Sequence, residues 1–66
     1  MPVVIVEMWE GHTLDQKRQL AKDLTDAFTR IGEPADTVQV IMRESPKSCW
    51  SDAGKLCADF EIPPGA

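Results

Sequence analysis

The first apolar segment of the chain is a near-continuous run over residues 3–9. Its members are mainly valine and isoleucine, and Met8 and Trp9 complete it after the single charged residue Glu7. A near-continuous apolar run rich in β-branched residues is typical of a strand that is covered on both faces. The pattern therefore predicts a first β-strand over residues 3–9.

A helix is predicted after a turn at residues 10–12. The segment Thr13-Leu14-Asp15-Gln16 has the form of a capping box, in which a hydroxyl and an amide bond to the backbone of the first turn. Apolar residues then recur at helical spacing, and charged residues lie largely on the other side. The apolar set is Leu20, Leu24, Ala27, Phe28 and Ile31, and the charged set is Lys17, Arg18, Lys22, Asp23 and Asp26. Gly32 favours the left-handed backbone that ends a helix, and Pro34 cannot continue one.

A second strand is predicted over residues 37–43, where apolar and polar residues alternate between two faces. Val38, Val40 and Met42 share one face, and Gln39, Ile41 and Arg43 share the other. Two strands joined by a helical crossover are expected to be parallel, with a right-handed connection. The predicted fold class is α/β: a β-α-β protomer with a parallel two-stranded sheet and one long helix.

The chain is expected to form one domain over residues 1–66. Residues 55–60 read as a short turn or hairpin arm, and residues 60–66 as a loose tail. Because 66 residues bury only about 60% of their unfolded surface, the core of a single chain is marginal. One helix covers one face of the sheet, and both strands are apolar on both faces. We therefore expect obligate oligomerisation.

The composition of the chain argues against several classes of binding partner and site. A net charge of −4 argues against nucleic acid and anionic membranes. No apolar run is long enough to span a membrane, and no signal peptide is recognised, so we expect a cytoplasmic protein. Cys49 and Cys57 are too few for a disulfide framework. A zinc site is disfavoured by the single histidine, so Cys57 is interpreted as a small buried apolar residue and Cys49 as an exposed thiol.

The strongest candidate for chemistry is Pro2. If Met1 is removed, the nitrogen of Pro2 becomes a secondary amine at the edge of a sheet, with a lone pair and a proton that can titrate. An α-amino group titrates near ~8, and desolvation lowers its pKa further, which suits a general base at neutral pH. The alternative is structural, because proline often begins a strand, where its missing N–H costs nothing.

Together these features resemble the 4-oxalocrotonate tautomerase group of the tautomerase superfamily. The resemblance covers about residues 2–58 and is carried by Pro2, the Glu10-Gly11 turn and three longer segments. These segments are Thr13-Leu14-Asp15-Gln16-Lys17, Val38-Gln39-Val40-Ile41 and Pro46-Lys47-Ser48-Cys49-Trp50. It implies a β-α-β protomer that assembles into a hexamer and needs no cofactor or metal. It also implies that the amino-terminal proline moves a proton between the oxygen and carbon of an enol acid, chemistry that belongs to aromatic catabolism.

Some functional positions of the family are matched in this chain, and others are changed. Pro2 matches the catalytic base, and Trp50 stands in the place of the aromatic residue that keeps the proline pocket dry. His12 and Gln39 stand where the group has two arginines that bind the carboxylate and polarise the keto oxygen. Both can donate hydrogen bonds, but neither carries a fixed charge. We therefore expect inefficient turnover of the dicarboxylate 2-hydroxymuconate.

Two of the candidate contacts have competing interpretations. Arg43 follows Gln39 by four residues on the same strand face and could bind a carboxylate in bidentate fashion. The favoured alternative is a solvated arginine that pairs with Glu44 or with an acid of another subunit. His12 is either a contact to the substrate, as a neutral donor, or an exposed loop residue.

Two classes of function remain from the sequence. The first is a tautomerase acting on a 2-hydroxy-dienoate or 2-oxo acid, with Pro2 as base and His12, Gln39, Arg43 and Trp50 as substrate contacts. A hydratase-like activity on unsaturated or halogenated acids is a variant of the same chemistry. The second is a non-catalytic or partner-dependent subunit of a hetero-oligomer, in which another chain supplies the arginines.

Overall fold

Two parallel strands form the main sheet of the computed structural model, which describes residues 1–60. Strand β1 spans Val3–Trp9 and strand β2 spans Gln39–Ser45. Their register pairs Val3 with Gln39 and continues residue by residue to Trp9 and Ser45. The predicted α/β class with a parallel two-stranded sheet is confirmed. The predicted tail lies almost entirely outside the described residues.

Helix α1 spans Leu14–Thr29 and connects the two strands. Its start is the predicted capping box: Thr13 Oγ1 accepts from the Gln16 backbone N–H, and Gln16 Oε1 accepts from the Thr13 backbone N–H, at 3.1 and 2.9 Å. Its end is a Schellman motif in which the Glu33 N–H donates to the carbonyl of Phe28. Gly32 has the positive φ of 99° that this motif requires. Within residues 1–60, no helix has the length and apolar content needed to cross a membrane.

The helix covers one face of the sheet. Half-buried residues of β1 and β2 alternate with exposed ones, and the half-buried set is Val4, Val6, Met8, Val40 and Met42. Leu20, Leu24 and Phe28 of α1 are half-buried as predicted, whereas Ala27 is exposed. Ile31 was also predicted on this apolar side, but it lies beyond the end of the helix and is 75% exposed. The prediction for Ile31 was wrong because the chain leaves the helix before another turn can form.

Lys17 departs from the predicted pattern in the opposite direction. It was predicted on the charged side of α1, yet it is half-buried and forms an ion pair with Glu44 of β2. Glu44 occupies the same strand face as Met42, which places the pair between the helix and the sheet. An aliphatic lysine stem covers apolar surface well while its ammonium reaches a polar partner.

The second strand begins later than predicted. Residues 37–43 were expected, but Thr37 ends a short 3₁₀ helix over Ala35–Thr37. The Thr37 N–H and Oγ1 both donate to the carbonyl of Pro34, at 3.0 and 2.7 Å. These two bonds hold Thr37 in the turn, and the strand starts only at Gln39.

A small antiparallel hairpin follows the main sheet. Strand β3 spans Ser51–Asp52 and strand β4 spans Lys55–Leu56. The two residues between them both have positive φ, as the tight turn of a two-residue hairpin requires. A hairpin arm was predicted from residue 55, and the structure starts it four residues earlier.

The face of the sheet opposite α1 exposes four large apolar side chains. Val3, Ile5, Trp9 and Ile41 lie on this face, and each is 40–49% exposed. We call these four residues the open sheet face. Among residues 1–60 only Cys57 is buried, at 4% exposure. The prediction that both faces of β1 are covered is therefore met on one face only within a single chain.

Candidate active site

Pro2 lies at the amino end of the sheet, directly before β1. It is half-buried, and its carbonyl accepts a hydrogen bond of 3.0 Å from the backbone N–H of Gln39. This bond extends the hydrogen bonding between the parallel strands by one residue. Proline has no backbone N–H, and none is needed at this position for the strands to pair. The structure thus brings Pro2 and Gln39 together, with the side chain of Gln39 exposed at the start of β2.

Met1 controls the chemistry of this proline. Met1 is 83% exposed, and while it is attached the nitrogen of Pro2 is an amide without a basic lone pair. The exposure leaves the Met1–Pro2 bond at the protein surface. Removal of Met1 would leave the amine at the amino end of the sheet, next to the first apolar residues of β1, which disfavour a charged nitrogen.

Trp50 lies at the opposite, carboxyl end of the sheet. Its ring is half-buried and meets the ring of Trp9 edge to face, with centroids 6.2 Å apart and planes at 83°. The Lys47 ammonium lies 4.9 Å from the centroid of the Trp9 ring. Edge-to-face and cation–π contacts of this kind fix ring orientation. The sequence left the role of Trp9 open between packing and the mouth of the pocket, and it did not indicate that Lys47 belongs to this group.

His12 lies near the same end of the sheet, on the side of α1. It is exposed in the loop before the helix and lines a pocket of about 190 Å³. The remaining lining residues are Met8, Gln16, Lys17 and Leu20. Met8 and Leu20 provide an apolar floor, and His12 and Lys17 provide polar edges. A small anionic group could be held there, with Lys17 shared with Glu44.

Arg43 lies on the open side of the sheet, in the middle of β2. Its Nη1 is 3.8 Å from Oε2 of Glu7, its neighbour in register on β1, and both side chains are more than half exposed. The interpretation that Arg43 pairs with Glu44 was wrong, because these consecutive residues point to opposite faces and Glu44 binds Lys17. At such exposure the Arg43–Glu7 contact contributes little stability, and the guanidinium remains available to an anion.

Within one chain the predicted site residues form two separate groups. Pro2 and Gln39 are at the amino end of the sheet, whereas Trp50 and His12 follow its carboxyl end. Six residue steps along β1 correspond to about 20 Å. A substrate that contacts both Pro2 and Trp50 must therefore lie between chains.

The two cysteines differ in their exposure to solvent. Cys57 is buried after the hairpin, and its backbone N–H donates to the carbonyl of Trp50 at 2.7 Å. Burial raises the pKa of the Cys57 thiol, and the nearby Asp52 carboxylate adds to this. Cys49 is exposed, and both thiols are free. Within residues 1–60, His, Cys, Asp and Glu side chains do not gather in groups of three that could hold a metal ion.

Comparison with known proteins gives a consistent result. A family model described as "Tautomerase enzyme" matches residues 2–59. A protein of Streptococcus pneumoniae named "Probable tautomerase" is 39% identical over 57 residues, which are 85% of this chain and 95% of that one.

Solved structures share the fold. A homologue of 4-oxalocrotonate tautomerase called YwhB superposes with a TM-score of 0.86 at 36% identity, covering 91% of this chain and all of that one. A heterohexamer 4-oxalocrotonate tautomerase from Chloroflexus aurantiacus gives 0.84 at 29% identity, covering 92% of this chain and all of that one. The similarities extend over the strands, the helix and the hairpin together.

Proposed function

Because this chain belongs to the tautomerase family, we propose that it interconverts the enol and keto forms of a 2-hydroxy-dienoate or 2-oxo acid. Pro2 is the general base in this proposal. The placement of Pro2 carries it: the residue is half-buried at the first position before β1, anchored through its carbonyl to Gln39. This hydrogen bond holds the backbone of Pro2 in place, and it leaves the nitrogen of Pro2 outside the hydrogen bonding between the strands.

The reaction is a proton transfer between two atoms of the substrate. After loss of Met1, the Pro2 amine removes the hydroxyl proton of the enol, and the resulting prolinium returns a proton to carbon. Negative charge develops on the substrate oxygen, and hydrogen-bond donors in a water-poor site stabilise it. Gln39 and His12 are the candidate neutral donors, and Arg43 is a candidate contact with permanent charge.

The active site of this proposal is shared between subunits. Pro2 of one chain must meet Trp50 and His12 of another, because one chain separates them by about 20 Å. We propose a homo-hexamer, the number of subunits that the similar Chloroflexus aurantiacus protein has as a heterohexamer. Trp50 would then exclude water from the Pro2 amine of its neighbour. A cytoplasmic location, consistent with two free thiols, and a role in aromatic catabolism belong to the same proposal.

The experiment follows the ketonisation of 2-hydroxymuconate and phenylenolpyruvate against pH, with protein whose mass confirms loss of Met1. The rate should rise through an apparent pKa below ~8, since a desolvated amine must be neutral to act as base. Protein that retains Met1 should be inactive.

Substitution of Pro2 gives the direct test of the base. Pro2→Ala keeps an amino terminus but replaces a secondary amine with a primary one, so turnover should fall at least ~tenfold. Pro34→Ala is the matched control, because Pro34 lies in the exposed loop before β2 and should leave turnover unchanged. Equal turnover in the Pro2→Ala variant and the unsubstituted enzyme would exclude Pro2 as the base.

A partner-dependent subunit is the second candidate function. It is favoured by the two neutral residues His12 and Gln39, and by the heterohexameric relative. In this case the purified chain, processed and assembled, would be inactive on both substrates. Activity would appear after refolding together with a related chain that carries arginines at the corresponding positions.

A further inference from the structure

A second pocket lies at the carboxyl end of β1, next to the two tryptophans. Its volume is about 400 Å³. Its lining residues are Trp9, Lys47, Asp52, Cys57 and Phe60. Two aromatic rings, one cation and one anion therefore face the same space. Aromatic walls with a few placed polar groups are typical of sites for small organic molecules.

Lys47 is the only cation that lines this pocket within residues 1–60. Its ammonium lies over the Trp9 ring at 4.9 Å and forms no ion pair with any described residue, in contrast to Lys17 and Lys22. The Lys47 carbonyl accepts the backbone N–H of Trp50 at 3.2 Å. A single short turn thus fixes Lys47 beside the tryptophan that we place in the active site.

Asp52 determines where negative charge is tolerated in the pocket. Its Oδ2 lies 4.0 Å from the Sγ of Cys57, at the buried end. The positive end of the pocket is therefore over Trp9, and the negative end is at Cys57. One carboxylate can bind at Lys47, whereas a second carboxylate reaching across the pocket would meet Asp52.

We propose that this pocket holds the body of the substrate, and that the substrate is an aromatic monocarboxylate. Its carboxylate binds Lys47, and its ring contacts Trp9 and Phe60 in offset or edge-to-face geometry. The proposal rests on the proposed function, in which Trp50, whose ring contacts Trp9 of this pocket, meets the Pro2 amine of a neighbouring chain. Lys47 then provides the permanent charge that His12 and Gln39 lack, which makes it a specificity-determining residue.

Binding can be measured without turnover. Trp9 lines the pocket, and the only other tryptophan of the chain, Trp50, contacts its ring, so tryptophan fluorescence responds to a ligand bound there. The assembled protein is titrated with 3-phenylpropanoate, with the neutral analogue 3-phenylpropan-1-ol and with the aliphatic dicarboxylate adipate. We expect 3-phenylpropanoate to bind at least ~tenfold more tightly than either, because a charge-assisted hydrogen bond and two ring contacts are made together.

Two lysine variants separate the pocket from general charge effects. Lys47→Gln should remove the preference for 3-phenylpropanoate over the alcohol. Lys55→Gln is the matched control, because Lys55 also lies over an aromatic ring, 4.8 Å from Phe60, but does not line the pocket. It should keep the preference. Equal binding of acid and alcohol, or equal effects of the two substitutions, would overturn the proposal.

Kinetics distinguish this proposal from the proposed function. With phenylenolpyruvate, Lys47→Gln should raise KM about tenfold and leave kcat within about twofold, as expected for lost binding that is uniform along the reaction. Absence of turnover combined with Lys47-dependent binding would remove the tautomerase proposal and keep the pocket. Pro2-dependent turnover with identical KM for both lysine variants would keep the tautomerase proposal and remove the pocket proposal.

Discussion

The two cysteines provide a residue-scale test of the packing after the hairpin. Cys57 is 4% exposed and its thiol pKa is raised by burial, with Asp52 adding to the effect and Lys47 opposing it. Cys49 is exposed. Alkylation requires the thiolate, so iodoacetamide at pH 8 should modify Cys49 quickly and leave Cys57 unmodified until the protein unfolds. Mass spectrometry of the reacted protein checks this, with Cys49→Ala and Cys57→Ala variants to assign the site.

The same group sets a pH dependence of stability. The unfolded chain loses the Cys57 proton near the ordinary pKa of 9.0, and the folded chain loses it only at higher pH. The free energy of unfolding should therefore decrease as pH rises through and above that value. Cys57→Ala should flatten the decrease, whereas Cys49→Ala should not. In the alkylation experiment above, a similar rate at both cysteines would show that Cys57 is accessible, and it would contradict both predictions.

A site residue could be predicted from the sequence only where its residue type and its position in the chain pointed to a role. Pro2 and Trp50 could be singled out from residue type and position, and the structure then placed them at opposite ends of the sheet. Lys47 could not be recognised, because a lysine in a polar loop is ordinarily solvated, and its contact with Trp9 depends on folding. The Arg43–Glu7 contact depends on strand register in the same way.

At the scale of the elements, the start of α1 offers the clearest prediction. The Thr13 hydroxyl accepts the Gln16 N–H at 3.1 Å, one of four amide groups that a helix start leaves without partners. Thr13→Ala removes this bond and should lower the free energy of unfolding by about 1 kcal/mol. Urea denaturation at fixed protein concentration measures the loss, because oligomer stability depends on concentration.

A second threonine of the same helix provides the control. Thr29 Oγ1 donates to the carbonyl of Asp26 at the exposed carboxyl end of α1, where no amide group depends on it. Thr29→Ala should change stability by less than about 0.5 kcal/mol. Equal losses at Thr13 and Thr29 would mean that the capping box does not stabilise the helix.

The elements themselves were predicted where their signals are local. The capping box and Gly32 mark both ends of α1 within a few residues, and the parallel pairing follows from the crossover helix. The start of β2 was missed because Thr37 bonds to Pro34 and stays in a turn, although its β-branched side chain suits a strand. The half-buried position of Lys17 was missed because it depends on Glu44 across the helix–sheet interface.

At the scale of the whole molecule, a single chain leaves its apolar surface unburied. Among residues 1–60 only Cys57 is buried, and the open sheet face exposes Val3, Ile5, Trp9 and Ile41 together. A domain of this length ordinarily needs disulfides, a metal or association to be stable. The two thiols are free, and association is the route that would also bring Pro2 to the Trp50 of another chain. Assembly and catalysis therefore depend on the same surface in our proposal.

A charge on the open sheet face should separate the chains. Ile41→Lys places an ammonium in the middle of this face, opposite Ile5 in register. Burial of this ammonium in an interface would leave it without a paired anion, which strongly disfavours association. Ile31→Lys is the matched control, since Ile31 is 75% exposed beyond α1 and a cation near a helix carboxyl end is tolerated. Sedimentation should show that Ile31→Lys keeps the mass of the unsubstituted assembly, while Ile41→Lys sediments as smaller species that lack turnover because Pro2 and Trp50 no longer meet. Full assembly of the Ile41→Lys chain would show that the subunits associate through another surface, and the shared site would then have to be sought there.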